Sequence, residues 1–134
     1  MDQQTADFFE KTIRQDGRFP PAAYEFLHRG LEHATRKFYG EVDPSQPRHV
    51  SGQQLCEGLR ELAIERWGLL AKTVLNRWNI RKTRDFGEMV YFLIELGLMG
   101  RQDSDSIEDF DDVYDLDAAF GAYEIRLDKE ALDE

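Results

Sequence analysis

The residue types able to do chemistry fall in a few places along the chain. Glu57, Glu61 and Glu65 recur at i, i+4, which on a helix lines three carboxylates along one face. In a cleft, such a line supplies general acids and bases. With Arg60 and Arg66 interleaved, it reads more simply as a solvated face with local ion pairs. Glu25-x-x-His28 has the spacing of half a carboxylate-bridged di-iron site, but the sequence holds no second copy. Asp103-x-Asp105 and the run Asp111, Asp112, Asp115, Asp117 offer oxygen ligands of the kind calcium and magnesium take. The calcium-loop pattern fails, because Ile107 and Glu108 stand where an acid or amide and a glycine are needed, and Tyr114 where the last ligand belongs. Cys56 is the single cysteine, so an intramolecular disulfide and a cysteine-rich zinc site are excluded. Next to Leu55 on an amphipathic stretch, it reads as a semi-buried thiol rather than a nucleophile. His49 reads as loop material, and there is no glycine-rich phosphate loop. None of these patterns completes a catalytic, cofactor or metal set, so none is assigned and the reading leans away from an enzyme.

Charge is the compositional feature that points somewhere. Residues 1–40 hold six acidic and six basic groups, and residues 41–100 hold eight of each. Residues 101–134 hold thirteen acidic groups and three basic ones, which is the whole net charge of −10. Just ahead lies a basic cluster, Arg77, Arg81, Lys82 and Arg84. An acidic run is usually a solvated tail. This one also carries Ile107, Phe110, Val113, Tyr114, Leu116 and Phe120, so part of 104–120 is expected to dock on the rest.

The elements that must position these groups are helical. Thr83 to Met99 is the most apolar stretch, with seven apolar residues among the eight from Met89 to Leu96. It predicts a buried central helix over 84–96, capped by Thr83 and stopped at Gly97. Thr5 to Gln15 predicts a first helix, with Phe8, Phe9 and Ile13 on one side and Asp16-Gly17 as the stop. Phe19 is placed to plug the core, and Pro21 to open a second helix carrying Tyr24, Leu27, Leu31, Ala34 and Phe38. Ser51 with Gln54 forms a capping box, with Val50 and Leu55 as its hydrophobic staple. A third helix then runs to Trp67, and a fourth from Leu69 to Trp78 buries Leu70, Val74, Leu75 and Trp78.

The expectation is therefore an all-α, compact bundle of about five helices in a single domain over 1–120. It comprises a hairpin over 5–40, a loop over 41–50, core helices over 52–97 and a docked acidic segment over 101–120. A frayed tail follows over 121–134. The order of helices from 52 to 97 also allows a helix-turn-helix or winged-helix-like core. Its would-be recognition helix is apolar and acidic, and its would-be wing repels DNA. No apolar run is long enough to span a bilayer, and the start of the chain has no secretory pattern, which points to the cytoplasm.

Phe19-Pro20-Pro21-Ala22-Ala23-Tyr24, His49-Val50-Ser51-Gly52-Gln53, Ala71-Lys72-Thr73-Val74-Leu75-Asn76-Arg77-Trp78, Asp85-Phe86-Gly87-Glu88 and Glu108-Asp109-Phe110 with Tyr114-Asp115 carry a family resemblance. Over residues 8 to 120 the chain resembles a conserved hypothetical family found mainly in planctomycete and verrucomicrobial bacteria. The resemblance implies a small, stand-alone bacterial protein, and it carries over no activity, cofactor or site residue.

Function, on this reading, is a non-enzymatic protein-interaction or regulatory module with a protein partner and no cofactor. Its expected interaction surface comprises Arg77, Arg81, Lys82 and Arg84 with Asp109, Asp111, Asp112 and Asp115. In the sharper form, 103–117 folds onto the basic cluster and masks it until a partner displaces it. A winged-helix-like nucleic-acid regulator and an enzyme are the alternatives.

Overall fold

The computed structural model describes residues 2–40 and 49–120. The readings made for 41–48 and for the tail over 121–134 lie outside the described residues. The fold is all-α. Five helices follow in order: α1 (Gln3–Asp16), α2 (Pro21–Tyr39), α3 (Gly52–Trp67), α4 (Ala71–Arg77) and α5 (Thr83–Glu95). 3-10 turns lie at Gly68–Leu70 and Ile107–Phe110, and residues 116–120 are helical. No strand occurs among the described residues, so the chain leaving α5 enters turns rather than a β wing.

Local chemistry explains the helix ends. α1 starts earlier than Thr5, because the Asp2 carboxylate accepts from the Thr5 amide at 2.7 Å and so caps the helix. The Ser51–Gln54 capping box forms, with both of its hydrogen bonds present and Val50 and Leu55 buried beside it. α5 opens differently from the expectation. The Asp85 carboxylate folds back to accept from the amides of Arg81 (2.8 Å) and Lys82 (3.2 Å), which leaves Thr83 inside the first turn with its hydroxyl available. Gly97 closes α5 with a positive φ of 75°. The Leu98 amide donates to Leu93 C=O and the Gly97 amide to Ile94 C=O, the Schellman pattern. Asn79 does the same for α4 at φ 66°, with the Ile80 amide donating to Leu75 C=O.

The most extensive helix–helix interface joins α2 and α3, and glycines set its closeness. A Cβ on Gly30 would lie 2.1 Å from Leu59 Cδ2, and one on Gly58 would lie 2.6 Å from Ala34 Cβ. The two backbones approach there as near as side chains allow. Across the same interface Glu61 of α3 accepts from Lys37 and pairs with His33 at 3.1 Å, both on α2. The Lys37 hydrogen bond, then that of His33, holds the Glu61 carboxyl below its ordinary value. At one end Phe26, Trp67 and Trp78 form an aromatic triad with ring centroids 5.0–5.8 Å apart.

Several core assignments change. Phe26 and Ile80 are fully buried, although neither lay on an expected stripe. Phe8, Phe38 and Leu70 are exposed at 59%, 38% and 60%. Phe8 stands about 100° around α1 from Phe9 and so turns away from the face that Ile13 buries. Leu70 sits in the 3-10 turn that follows the Gly68 break, where the helical register expected from Leu69 onward does not hold. α5 is enclosed only over its first half. Thr83, Phe86, Gly87, Met89 and Val90 are buried, while Tyr91 to Ile94 are half-buried.

Two outcomes test this packing. Gly58→Val should lower stability by about 2 kcal/mol in urea titration, the usual cost of overpacking. Gly100→Ala, whose Cβ meets nothing within 4 Å, should not lower it. Because folding depresses the pKa of Glu61, its contribution is present above the ordinary carboxylate range and is lost as pH falls through the folded value. Acidification from about pH 5 to pH 3 should therefore destabilise the wild type more steeply than Glu61→Gln.

Candidate functional site

The acidic segment is anchored on the helices first by an aromatic ring. Phe110, 4% exposed, sits where two glycines leave room. A Cβ on Gly87 of α5 would lie 2.9 Å from the Phe110 Cβ, and one on Gly52 of α3 would lie 3.0 Å from its Cε2. The Thr83 hydroxyl, itself buried, donates to Phe110 C=O at 2.6 Å and accepts from the Val113 amide at 3.2 Å. One side chain thus satisfies a carbonyl and an amide on either side of the turn through Asp112, whose φ is 50°. Beyond the turn the Tyr114 hydroxyl donates to Cys56 C=O at 2.9 Å, and the Tyr114 ring meets Phe120 edge-on at 6.3 Å. Leu116 and Phe120 are buried. Burial raises the Tyr114 pKa, so the phenol stays protonated and donates.

Charges tie the edges of this dock. Arg84 Nη1 meets both carboxylate oxygens of Asp111 at 3.0 Å. The contact extends into a chain of ion pairs, Arg84–Glu88 at 3.5 Å, Glu88–Arg18 at 3.3 Å and Arg18–Asp16 at 3.0 Å. It therefore runs from the end of α1 across α5 to the acidic segment. Lys72 of α4 pairs with Asp117 at 2.6 Å, and His49 with Asp105 at 2.9 Å. All are partly exposed, so they orient the segment more than they stabilise it.

The expected interaction residues are only partly brought together. Arg84 and Asp111 pair. Arg81 and Lys82 share the rim of a cleft of about 270 Å³ with Asp112 and Asp115, but neither makes an ion pair among the described residues. Arg77 lies elsewhere, on a shallow groove with Arg14, Arg18 and Asn79. Asp109 and Asp115 do local work. Asp109 accepts from the Ser106 amide at 3.1 Å and Asp115 from the Ala118 amide at 3.0 Å. Thr83, Gly52, Gly87, Lys72 and the His49–Asp105 pair were not read as parts of this site. Gly87 carried the one usable signal, because a glycine within an apolar helix marks a close approach.

The other chemical candidates are dispersed. Burial pushes the Cys56 thiol up to about 12, so it is not a thiolate near neutrality. His28 pairs with Glu32 at 3.1 Å rather than with Glu25. Glu57 pairs with Arg60 at 3.1 Å, Glu61 reaches α2, and Glu65 faces solvent. Among the described residues no three of His, Cys, Asp and Glu form a metal-holding group.

Thr83→Val keeps the shape but leaves Phe110 C=O and the Val113 amide unpaired, so it should cost about 2–3 kcal/mol. Thr83→Ser should retain most of the stability. Hydrogen exchange at the Val113 amide reports the same bond, and protection should fall only in the valine variant.

No protein-family model, curated protein or solved structure matches this chain.

Proposed function

We propose that this protein is a non-enzymatic interaction module that offers a fixed acidic face to a basic protein partner. The observation that carries the reading is the buried attachment of a strongly charged segment. Residues 101–120 hold eight acidic groups and one basic group, yet Phe110, Leu116 and Phe120 are core residues. A free acidic coil spends ordering entropy when it binds, whereas a segment already fixed does not. Asp103, Glu108, Asp111, Asp112, Asp115 and Asp117 are exposed. Asp111 and Asp117 are paired with Arg84 and Lys72, and the net acidic surface that remains steers a basic partner and selects against acidic ones. The same field disfavours nucleic acid.

The geometry favours a fixed face over a detachable mask. Displacing the segment would expose Phe110, Leu116 and Phe120, at roughly 1.5–3 kcal/mol each. Asp111 covers Arg84 alone among the four basic residues of the cluster. Among the described residues no helix is long and apolar enough to cross a membrane, in keeping with a partner met in an aqueous compartment; we place that compartment in the cytoplasm.

The test is a neutralised face. Asp103→Asn, Glu108→Gln and Asp112→Asn together remove three exposed charges, and asparagine tolerates the positive φ at 112. Wild-type protein immobilised in host extract should retain a basic protein that elutes with rising salt, and the triple variant should lose it. Equal retention by the variant, or retention indifferent to salt, would overturn the proposal.

A further inference from the structure

The cleft of about 270 Å³ between the start of α5 and the acidic segment is lined by charges of both signs. Arg81 and Lys82 stand on the helix side, and Asp112 and Asp115 on the side of the segment. Tyr114 and Leu116 supply its apolar part. The Thr83 hydroxyl, bonded to Phe110 C=O and to the Val113 amide, ties the two sides together and so fixes their spacing. The Asp85 carboxylate accepts from the Arg81 and Lys82 amides and holds the backbone from which both cations project.

Opposite charges just before and just after this stretch of the segment pair directly. Asp111 meets Arg84 at 3.0 Å, and Asp117 meets Lys72 at 2.6 Å. The carboxylates between them behave differently. Asp112 and Asp115 are exposed, as are Arg81 and Lys82, and none of the four makes an ion pair among the described residues. Asp115 uses Oδ2 for the Ala118 amide, which leaves Oδ1 without a partner among the described residues. Two cations and two carboxylates therefore line one space without closing on each other, and their charges cancel.

We propose that this cleft binds a dipolar molecule, a free amino acid with an apolar side chain. Its carboxylate accepts from Arg81 and Lys82, and its ammonium donates to Asp112 and to Asp115 Oδ1. Charge selects the dipole. An anion is drawn by two cations and repelled by two carboxylates, and a simple cation meets the reverse. A molecule carrying both charges is attracted on both sides. The planar fork of the Arg81 guanidinium matches a carboxylate, and the Lys82 ammonium adds a point charge beside it. The Tyr114 ring and Leu116 offer the side chain an apolar surface. Size allows a single ring, since a protein cavity of about 150 Å³ holds benzene and this cleft leaves room for the charged groups beside it.

The experiment is an NMR titration of the full-length protein with phenylalanine, 3-phenylpropanoate, which lacks the ammonium, and 2-phenylethylamine, which lacks the carboxylate. Phenylalanine should move the amide signals of Arg81, Lys82 and residues 112–116 saturably. It should bind at least about fivefold more tightly than either singly charged analogue. Arg81→Gln with Lys82→Gln should bring phenylalanine down to the level of 2-phenylethylamine. That variant keeps every carboxylate of the acidic face, so its outcome is independent of the basic partner proposed above. Asp112→Asn should act in the opposite sense, weakening phenylalanine and strengthening 3-phenylpropanoate. A variant that merely disturbed the fold would weaken all three ligands together, and the amide spectrum outside the cleft checks that each variant remains folded. The absence of saturable shifts, equal or tighter binding of either analogue, or an unchanged order of affinities in either variant would each overturn the proposal.

Discussion

The arrangement depends on Phe110 seated between Gly52 and Gly87 with Thr83 bonded to the backbone on both sides of the turn. Hydrophobic burial holds the ring, and close packing fixes its position, because side chains larger than hydrogen at either glycine would occupy its space. The hydroxyl removes what would otherwise be the main cost, a carbonyl and an amide withdrawn from water unpaired. These contacts convert a strongly acidic stretch from a solvated tail into a structural part of the bundle. They also set where the carboxylates of Asp115 and Asp117 lie, since Tyr114, Leu116 and Phe120 continue from the same anchored turn.

Two kinds of contact share the task of holding the molecule together. The α2–α3 pair depends on shape, with Gly30 and Gly58 admitting the opposite helix at the limit of van der Waals approach. The α5 side depends more on polar registration, through Thr83, the Asp85 cap and the ion pairs running from Asp16 to Asp111. Screened, half-exposed ion pairs add little stability, but a chain of four of them makes incorrect placements of the acidic segment less favourable. The clefts on either side of Leu31 and Met99 lie where these two regimes meet and neither fills the space.

The helical class and most helix boundaries were legible because they depend on local chemistry. Pro21 at a helix start, the Ser51–Gln54 box and Gly97 as a stop each act through the backbone within a few residues. What was not legible depends on tertiary neighbours. Thr83 is a competent cap by type, and only the nearby Asp85 carboxylate, taking the Arg81 and Lys82 amides, frees its hydroxyl for Phe110. Periodicity placed Leu70 inside and overlooked Phe26, because the break at Gly68 resets the helical phase and the Trp67–Trp78 pair creates a new place for a ring. The basic cluster looked continuous along the sequence, yet the turn after α4 sends Arg77 toward α1 while Arg84 meets Asp111. Charge composition located the acidic segment; it held no information on which carboxylates would be consumed as caps.

The position of Phe110, Leu116 and Phe120 in the chain has a consequence for synthesis. A ribosome makes the slots before it makes the side chains that fill them. Until the segment after Gly100 emerges, α3 and α5 present Gly52, Gly87 and the unbonded Thr83 hydroxyl to water or to other chains. The helical hairpin at the N-terminal end can pack early, but the bundle gains its last core layer only with its most acidic residues. Those charges emerge together with the side chains that close the slots, so the same step that removes the exposed apolar surface gives neighbouring copies a mutual repulsion.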